Sequence, residues 1–567
     1  MNRRARALQE GAGCRTSPIG RQYNIGSRVV GDGRGSRMQR THGAVDWQFR
    51  HEERPFAAAC RMLYSARPTP VVQPDMASPF PTSSSDDRDV LPRWVRGADL
   101  LVPLLAGLAV VVAIGGGFRE RIGIVRIAVT SPYGLLLAAV AVAVLRSLVV
   151  PRPPLHLALA RRLRMWHSPA SRAAWYALLT TRPIILFVGY FAVATFGSTY
   201  ERPPTRYSDN EFVNLQNRFD TAWYVDIATK GYEFRNQPPT EAQRIVFFPA
   251  FPMALRVVGR LFGGSVGAYL LGGTVVSWAA FFWALTYLYR LARDLLGTDQ
   301  LARVAVLLLA AYPFAFFYGA VYSESLFLLG AVAAFYHTRQ QEYGRAAVWG
   351  LLVGLTRPNG CFLAAPLALM ALRAWVPQRL YGGAAVEDSA RAGAGAEPGN
   401  GRLLRGLASA AAPVVGMALY SAYIWHLTGN PIAWAEGHAA WGRVYSGLLP
   451  LLQRYYSYFR EDGGYSLTVV LPYDVLNALG ALFVLALALP VWRRFGLPYA
   501  VFILINMLPP LAAGGFLSTG RFSAVMFPAF LWLASEVPEV QRAGWLINFM
   551  ALQAFNAALF YDWRRLY

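Results

Sequence analysis

Asp220 and Asp226 lie in NRFDTAWYVDIATKGY, residues 217–232, beside Trp223, Tyr224 and the chain's only lysine, Lys230. Four further charges interrupt stretches that are otherwise apolar or aromatic. Glu324 opens ESLFLLG, Arg357 sits in LTRPNG, Arg443 closes TGNPIAWAEGHAAWGR, and Arg521 lies in STGRFSAVMFPAF. A charge inside an apolar segment is costly and usually marks function. A carboxylate at the end of a helix can serve as a general base if a hydroxyl comes within hydrogen-bond reach. Trp223 and Tyr224 are suited to stack on a sugar face. Each residue also has a plainer use: Asp220 as a helix N-cap, Trp223 and Tyr224 as membrane-interface anchors, Ser323 as a cap ahead of Glu324, and Arg357 as a snorkelling charge at a proline-determined helix end.

The elements that hold these residues belong to a membrane protein. Of 567 residues, 55% are hydrophobic and only 15% charged, and the mean hydropathy is +0.31. A soluble domain carries about a quarter charged residues. The formal net charge of +22 comes from arginines that cluster beside apolar segments. That pattern fits the positive-inside rule and anionic lipid headgroups rather than nucleic acid. Cys14, Cys60 and Cys361 show no metal or disulfide spacing, and His426 and His438 lack a third ligand at metal spacing, so no metal site is expected.

Residues 1–95 lack hydrophobic periodicity and read as a disordered basic extension, dispensable up to the alternative start at Met76. Apolar segments follow near 98–117, 133–150, 183–199, 264–288, 303–319, 324–338, 404–425, 466–491, 496–513, 522–535 and 544–561, with a further one at 344–375 broken at Arg357–Gly360. The fold class is therefore an all-α membrane protein of about 11–13 transmembrane helices. The segments at 96–150 form two accessory spans, 183–561 the main domain, and 377–403 a flexible cytoplasmic linker. RIVFFPAFPMALRVVGRLFG, 244–263, with Arg256 and Arg260 one turn apart, reads as an amphipathic helix along the membrane surface.

Arginines set the orientation. Residues 151–182 hold Arg152, Arg161, Arg162, Arg164, Arg172 and Arg182 without an acid, and so should be cytoplasmic. The loop 200–245 is balanced, with six basic and seven acidic residues, and falls outside. Threading onward places Arg290, Arg293, Arg339, Arg345, Arg373, Arg379, Arg493 and Arg494 inside, and Tyr322–Ser325, Arg357, the 426–465 loop and Arg521 outside. The unusual polar residues thus gather at one face, whereas incidental ones would scatter over both.

RFDTAWYVDIATKGY followed by IVFFPAFP resembles the signature of the PIG-V family of glycosyltransferases, and YSESLFLL, LTRPNG, TGNPIAWAEGHAAWGR and GRFSAVMFPAFLWLA resemble further blocks of that family in the same order, over about 183–540. Phe219 stands where the family commonly has Trp. The resemblance implies a GT-C-type bundle with an extracytoplasmic catalytic loop. It implies an inverting transfer, a mannosyltransferase reaction using a polyprenyl-phosphate sugar donor and a glycan, lipid or protein acceptor, with eukaryotic relatives acting in GPI-anchor synthesis. Asp220 is then the catalytic base, and Trp223, Tyr224, Asp226, Glu324, Arg357, Arg443 and Arg521 the substrate-binding residues, with Arg357 and Arg521 steadying the phosphate. No ligand set requires a divalent cation, though the chemistry admits one. The membrane is the plasma membrane in a prokaryote and the endoplasmic reticulum in a eukaryote. A transporter or flippase of a lipid-linked sugar is the alternative. Its expected marks are internal repeats and polar groups at the midplane, and the sequence shows no convincing repeat.

Overall fold

The computed structural model describes residues 93–115, 118–122, 125–129, 132–150, 168–197, 206–207, 211–383, 400–463, 472–564 and 566. The extension 1–92, Cys14, Cys60 and the arginines at 152–164 lie outside them. The described chain is a helical bundle. Six helices are long and apolar enough to cross a membrane: Pro169–Phe196, Val266–Leu296, Asn400–Thr428, Pro472–Phe495, Leu497–Gly514 and Glu539–Tyr561. Shorter helices, among them Asp299–Ala311, Glu324–Arg339, Tyr343–Gly354, Ala364–Ala371 and Phe527–Glu536, pack between them. The helices follow the apolar segments of the sequence closely.

Pro169–Phe196 shows why these segments are helices in lipid. Ala173, Ala174, Ala177, Leu178 and Ile185 face the protein, while Leu179, Ile184, Phe187 and Phe191 point outward. A helix apolar on both faces needs a non-aqueous solvent on its outer side. Its boundary corrects the orientation argument above, because the helix begins at Pro169, capped by the Ser168 hydroxyl, and not at 183. Arg172 and Arg182 are therefore helical. Arg182 is fully buried rather than cytoplasmic.

The expected span 303–319 explains that burial. It breaks at Pro313 into Asp299–Ala311 and a 3-10 turn, Ala315–Gly319, since proline lacks an N–H and clashes with the preceding turn. The freed carbonyls find donors on other helices. Arg182 donates to Ala310 O at 2.8 Å and to Ala315 O. Gln553 Nε2 donates to Ala310 O and Tyr312 O, and Asn556 Nδ2 to Pro313 O. Buried carbonyls need such partners.

The other departures are local. Arg93–Gly115 and Pro132–Val149 are two helices joined across a two-stranded antiparallel hairpin, Phe118–Ile122 with Val125–Val129. Arg146 Nε meets Asp99 Oδ1 between the two helices at 2.8 Å, with both side chains buried. The linker expected over 377–403 is helical at its described ends, within Gln378–Tyr381 and Asn400–Thr428. Residues 384–399 lie outside the described residues. Ala250–Leu261 is amphipathic as expected, burying Phe251, Pro252, Leu255 and Gly259 against Val266–Leu296.

Candidate active site

Asp220 occupies the N-cap position of the ten-residue helix Thr221–Lys230, yet its side chain makes no capping hydrogen bond. It is 8% exposed and turns into the protein, where Arg521 Nη1 donates to its Oδ2 at 2.7 Å. The Asp220 N–H donates to the Tyr322 hydroxyl at 3.1 Å, and that hydroxyl donates to Arg218 O at 3.3 Å. Oδ1 has no hydrogen bond from the described residues. The preceding residue, Phe219, has φ +47°, a left-handed conformation that is uncommon for a bulky side chain and gathers at functional sites.

Glu324 begins its helix and is 1% exposed. Its Oε1 receives Arg357 Nη1 at 2.8 Å and faces Arg521 Nε at 3.2 Å. Its Oε2 is buried without a hydrogen-bond partner among the described residues. Ser323 does not cap this helix either: its hydroxyl faces the Tyr224 hydroxyl at 3.3 Å. Neither capping reading of the sequence holds.

Two glycines allow the arginines to converge. Arg357 lies between Tyr343–Gly354 and the 3-10 turn Pro358–Leu363. A Cβ on Gly360 would come within 2.1 Å of Val353 O, so only glycine lets this break fold so tightly onto the helix end. Arg521 sits on the short helix Thr519–Ala524, preceded by Ser518 at φ +60°. A Cβ on Gly520 would meet the Phe314 ring at 2.2 Å. Beneath the cluster lies the Phe522 ring, 4.9 Å from the Arg357 guanidinium carbon, 5.1 Å from that of Arg443 and 5.8 Å from that of Arg521.

Arg443 reaches in from the loop after Asn400–Thr428, donating to Leu517 O at 3.0 Å. Burial pushes its pKa down to about 9, and neighbouring Arg521 and Arg357 push in the same direction. Three guanidinium groups thus share a site with two carboxylates, Asp220 and Glu324. Like charges at such range are costly, and an added anion relieves that cost. Arg521 has five N–H donors, and Nη2 carries no hydrogen bond from the described residues.

The structure brings together Asp220, Glu324, Arg357, Arg443 and Arg521, and leaves Asp226 apart. Asp226 is paired at the surface, Oδ1 with Lys230 at 2.9 Å and Oδ2 with Arg244 at 3.0 Å. Trp223 stacks on Phe247 at 5.8 Å and meets Trp441 edge-on, forming an aromatic wall one turn from Asp220. Tyr224 is buried against Phe247, Phe251 and Tyr322, with its hydroxyl directed at that of Ser323. Sequence reasoning missed Tyr322, Arg218 and Phe522. Phe522 and Tyr322 adjoin motif residues already singled out, but nothing in their types told a ring beneath a charge from ordinary core. Among the described residues no three acidic, histidine or cysteine side chains gather as a metal set. Asp220 and Glu324 would be the acids to hold a cation, and both face arginine.

Residues 203–374, which carry Asp220, Glu324 and Arg357, match the family model described as Mannosyltransferase (PIG-V). The match stops short of Arg443 and Arg521, and it makes this stretch similar to a glycosyltransferase family. The resemblance read from the motifs is thereby borne out as one to the PIG-V mannosyltransferases, over a narrower stretch than the motif blocks suggested. No curated protein matches the chain. Among solved structures, the Archaeoglobus fulgidus oligosaccharyltransferase tethered to an acceptor peptide is similar at TM-score 0.33 and 13% identity, over 71% of this chain and 56% of that one. The same enzyme in complex with zinc and sulfate gives 0.31 and 13%, over 68% and 53%. The chain spans about half the length of these structures.

Proposed function

We propose that this protein transfers a hexose, mannose by its family match, from a polyprenyl-phosphate carrier to an acceptor hydroxyl at the outer membrane face, with inversion at the anomeric carbon. The observation that carries the reading is the placement of Asp220: a buried carboxylate withdrawn from its capping role, with one oxygen fixed by Arg521 and the other open beside an excess of positive charge. Asp220 Oδ1 takes the acceptor proton as the acceptor oxygen bonds to the anomeric carbon. The bond from that carbon to the phosphate oxygen breaks, and its electron pair leaves on polyprenyl phosphate. Phosphate leaves readily, so one carboxylate suffices where glycosidases need two. Arg357, Arg443 and Arg521 are the fixed charges for the departing anion, and Glu324 orients two of them.

The outer face is supported by charge along one helix. Glu324 opens Glu324–Arg339 and Arg339 closes it, about 22 Å apart at 1.5 Å per residue, and Arg290 and Arg345 gather beside His337 and Gln340 at the Arg339 end, a pattern that the positive-inside rule associates with the cytoplasmic side. The host membrane is then the plasma membrane of a prokaryote or the endoplasmic reticulum of a eukaryote. The test uses purified protein in liposomes with polyprenyl-phosphate mannose and membrane extracts as acceptor. A new mannosidic bond, inverted at the anomeric carbon by NMR, supports the reading. Transbilayer movement of the donor without a new bond establishes a transporter and overturns it.

A further inference from the structure

Asp220 and Arg521 come from loops 301 residues apart, and both loops lead to the same short stretch of chain. On the Asp220 side, Arg218 is 2% exposed. Its Nε donates to Tyr561 O at 2.7 Å, and its Nη1 holds Asn214 O and Asn217 O at 2.6 and 3.0 Å. Tyr561 ends the Glu539–Tyr561 helix, where terminal carbonyls lack intrahelical partners and attract cations. Burial lowers the Arg218 pKa to about 10 against the opposing pull of Glu211, so it stays charged at neutral pH. The guanidinium lies 5.2 Å from the Trp563 ring. The Phe219 ring meets Trp563 edge-on at 4.9 Å and Phe560 at 5.4 Å, bracing a residue whose φ is +47°.

On the Arg521 side the link is Asn477, 2% exposed. Its Oδ1 accepts the Gly520 N–H at 2.9 Å and its carbonyl accepts the Thr519 hydroxyl at 3.0 Å, so it grips the first turn of the Arg521 helix. Its Nδ2 donates to Leu566 O at 3.3 Å. Leu566 is fully buried. Trp563 takes φ +63°, and Arg564 N–H returns to Leu559 O at 2.9 Å, turning the chain from Tyr561 towards Asn477.

We infer that Phe560–Arg564, together with Leu566, is a positioning clamp for the acid–arginine pair, one end fixing the Asp220 loop through Arg218 and Phe219, the other fixing the Arg521 helix through Asn477. This rests on Asp220 as the base. The family match ends at residue 374 and assigns nothing here. A general base works only within a narrow range of distance and angle, and small misplacements are worth up to about 10²-fold in rate.

The experiment is a double-mutant cycle of Asp220→Asn and Trp563→Ala, read as transfer of labelled mannose from polyprenyl-phosphate mannose in membranes lacking the native copy. Trp563→Ala alone should slow transfer about 10- to 10²-fold with donor KM within about twofold, because Trp563 braces the Asp220 end and the grip of Asn477 on the Arg521 helix is left in place. With Asp220→Asn present, Trp563→Ala should cost less than about threefold more, since a clamp on the base has nothing left to position. Trp563→Phe, which keeps an aromatic ring against Phe219, should recover most of the loss. Detergent size-exclusion profiles show whether each variant is folded; if Trp563→Ala is not, Arg218→Lys replaces it in the cycle. Full additivity, or a loss confined to donor KM, overturns the clamp. A fully active Asp220→Asn overturns instead the assignment of the base.

Discussion

The helix Thr221–Lys230 has one acid at its N-cap, Asp220, and another in its middle, Asp226, and the two have opposite surroundings. Asp226 faces solvent, with its side chain 34% exposed, and shares Lys230 and Arg244 in a cluster that includes Glu233. Its partners lie within 18 residues in sequence. Asp220 is buried and held by an arginine 301 residues away, beside a second acid and two more arginines. Surface pairs of the first kind contribute about 0–1 kcal/mol. Groups of the second kind incur several kcal/mol of desolvation, which their mutual attraction roughly offsets. The inner group holds three arginines against two acids, a surplus that a bound anion would balance.

The largest expected break in this comparison is Asp220→Asn. The amide is nearly isosteric, so folding and membrane insertion should survive, and transfer should fall about 10²–10⁴-fold, the usual worth of a general base. Steady-state transfer rates beside a size-exclusion profile check both halves. If the rate holds, the inner acid is structural.

Arg357→Met should act next. It leaves Glu324 with Arg521 alone and one more buried acceptor without a donor. Breaking a buried pair typically costs about 3–5 kcal/mol, so the melting temperature in detergent should drop and donor saturation weaken. An unchanged melting temperature would show that Arg521 alone compensates Glu324.

Arg521→Lys sharpens the picture. Lysine keeps the charge and loses the planar fork, so the protein should express normally while donor KM rises about tenfold, measured by donor titration. Equal saturation in both proteins would remove Arg521 from the phosphate site.

Asp226→Asn should be the mildest. Transfer within about twofold of wild type, at low and high salt, is the expected result for an exposed pair. A dead Asp226→Asn beside an active Asp220→Asn would reverse the comparison.

A pH experiment separates His438 from the chemistry. Burial pushes its pKa down to about 4, the Trp434 carbonyl opposing and Arg443 assisting. Between that value and about 6.5 the unfolded chain binds the proton and the folded one does not, so this residue makes stability fall as pH falls through that window. His438→Gln should flatten that part of a melting-temperature profile and leave the transfer rate above pH 7 unchanged.

The positions of the helices were legible in the sequence because apolar runs in lipid leave little choice of structure. The break at Arg357–Gly360 was legible for the same reason, since proline and glycine speak locally. Arg182 was misread because it looks like any cytoplasmic arginine, and its use depends on carbonyls released by Pro313 on another helix. The site was half legible. Motif blocks marked Asp220, Glu324, Arg357, Arg443 and Arg521 and chose Asp220 over Asp226 as the base, but they left Asp226 among the substrate-binding residues, and the fold sets it apart at the surface. The roles of Arg218 and Asn477 depend on contacts with residues far along the chain, and no local pattern carries them.

The 301-residue span between Asp220 and Arg521 also has a meaning in time. Ribosomes add about 5–20 residues per second, so Arg521 is made about 15–60 s after Asp220. Glu324 meets Arg357 far sooner, 33 residues on, within about 2–7 s at the same speed. One acid therefore gains its first partner while its own hairpin is still being threaded into the bilayer. The other waits for almost the whole protein. The nascent chain holds a carboxylate with no guanidinium to set it until the last helices arrive, and it enters the membrane unarmed.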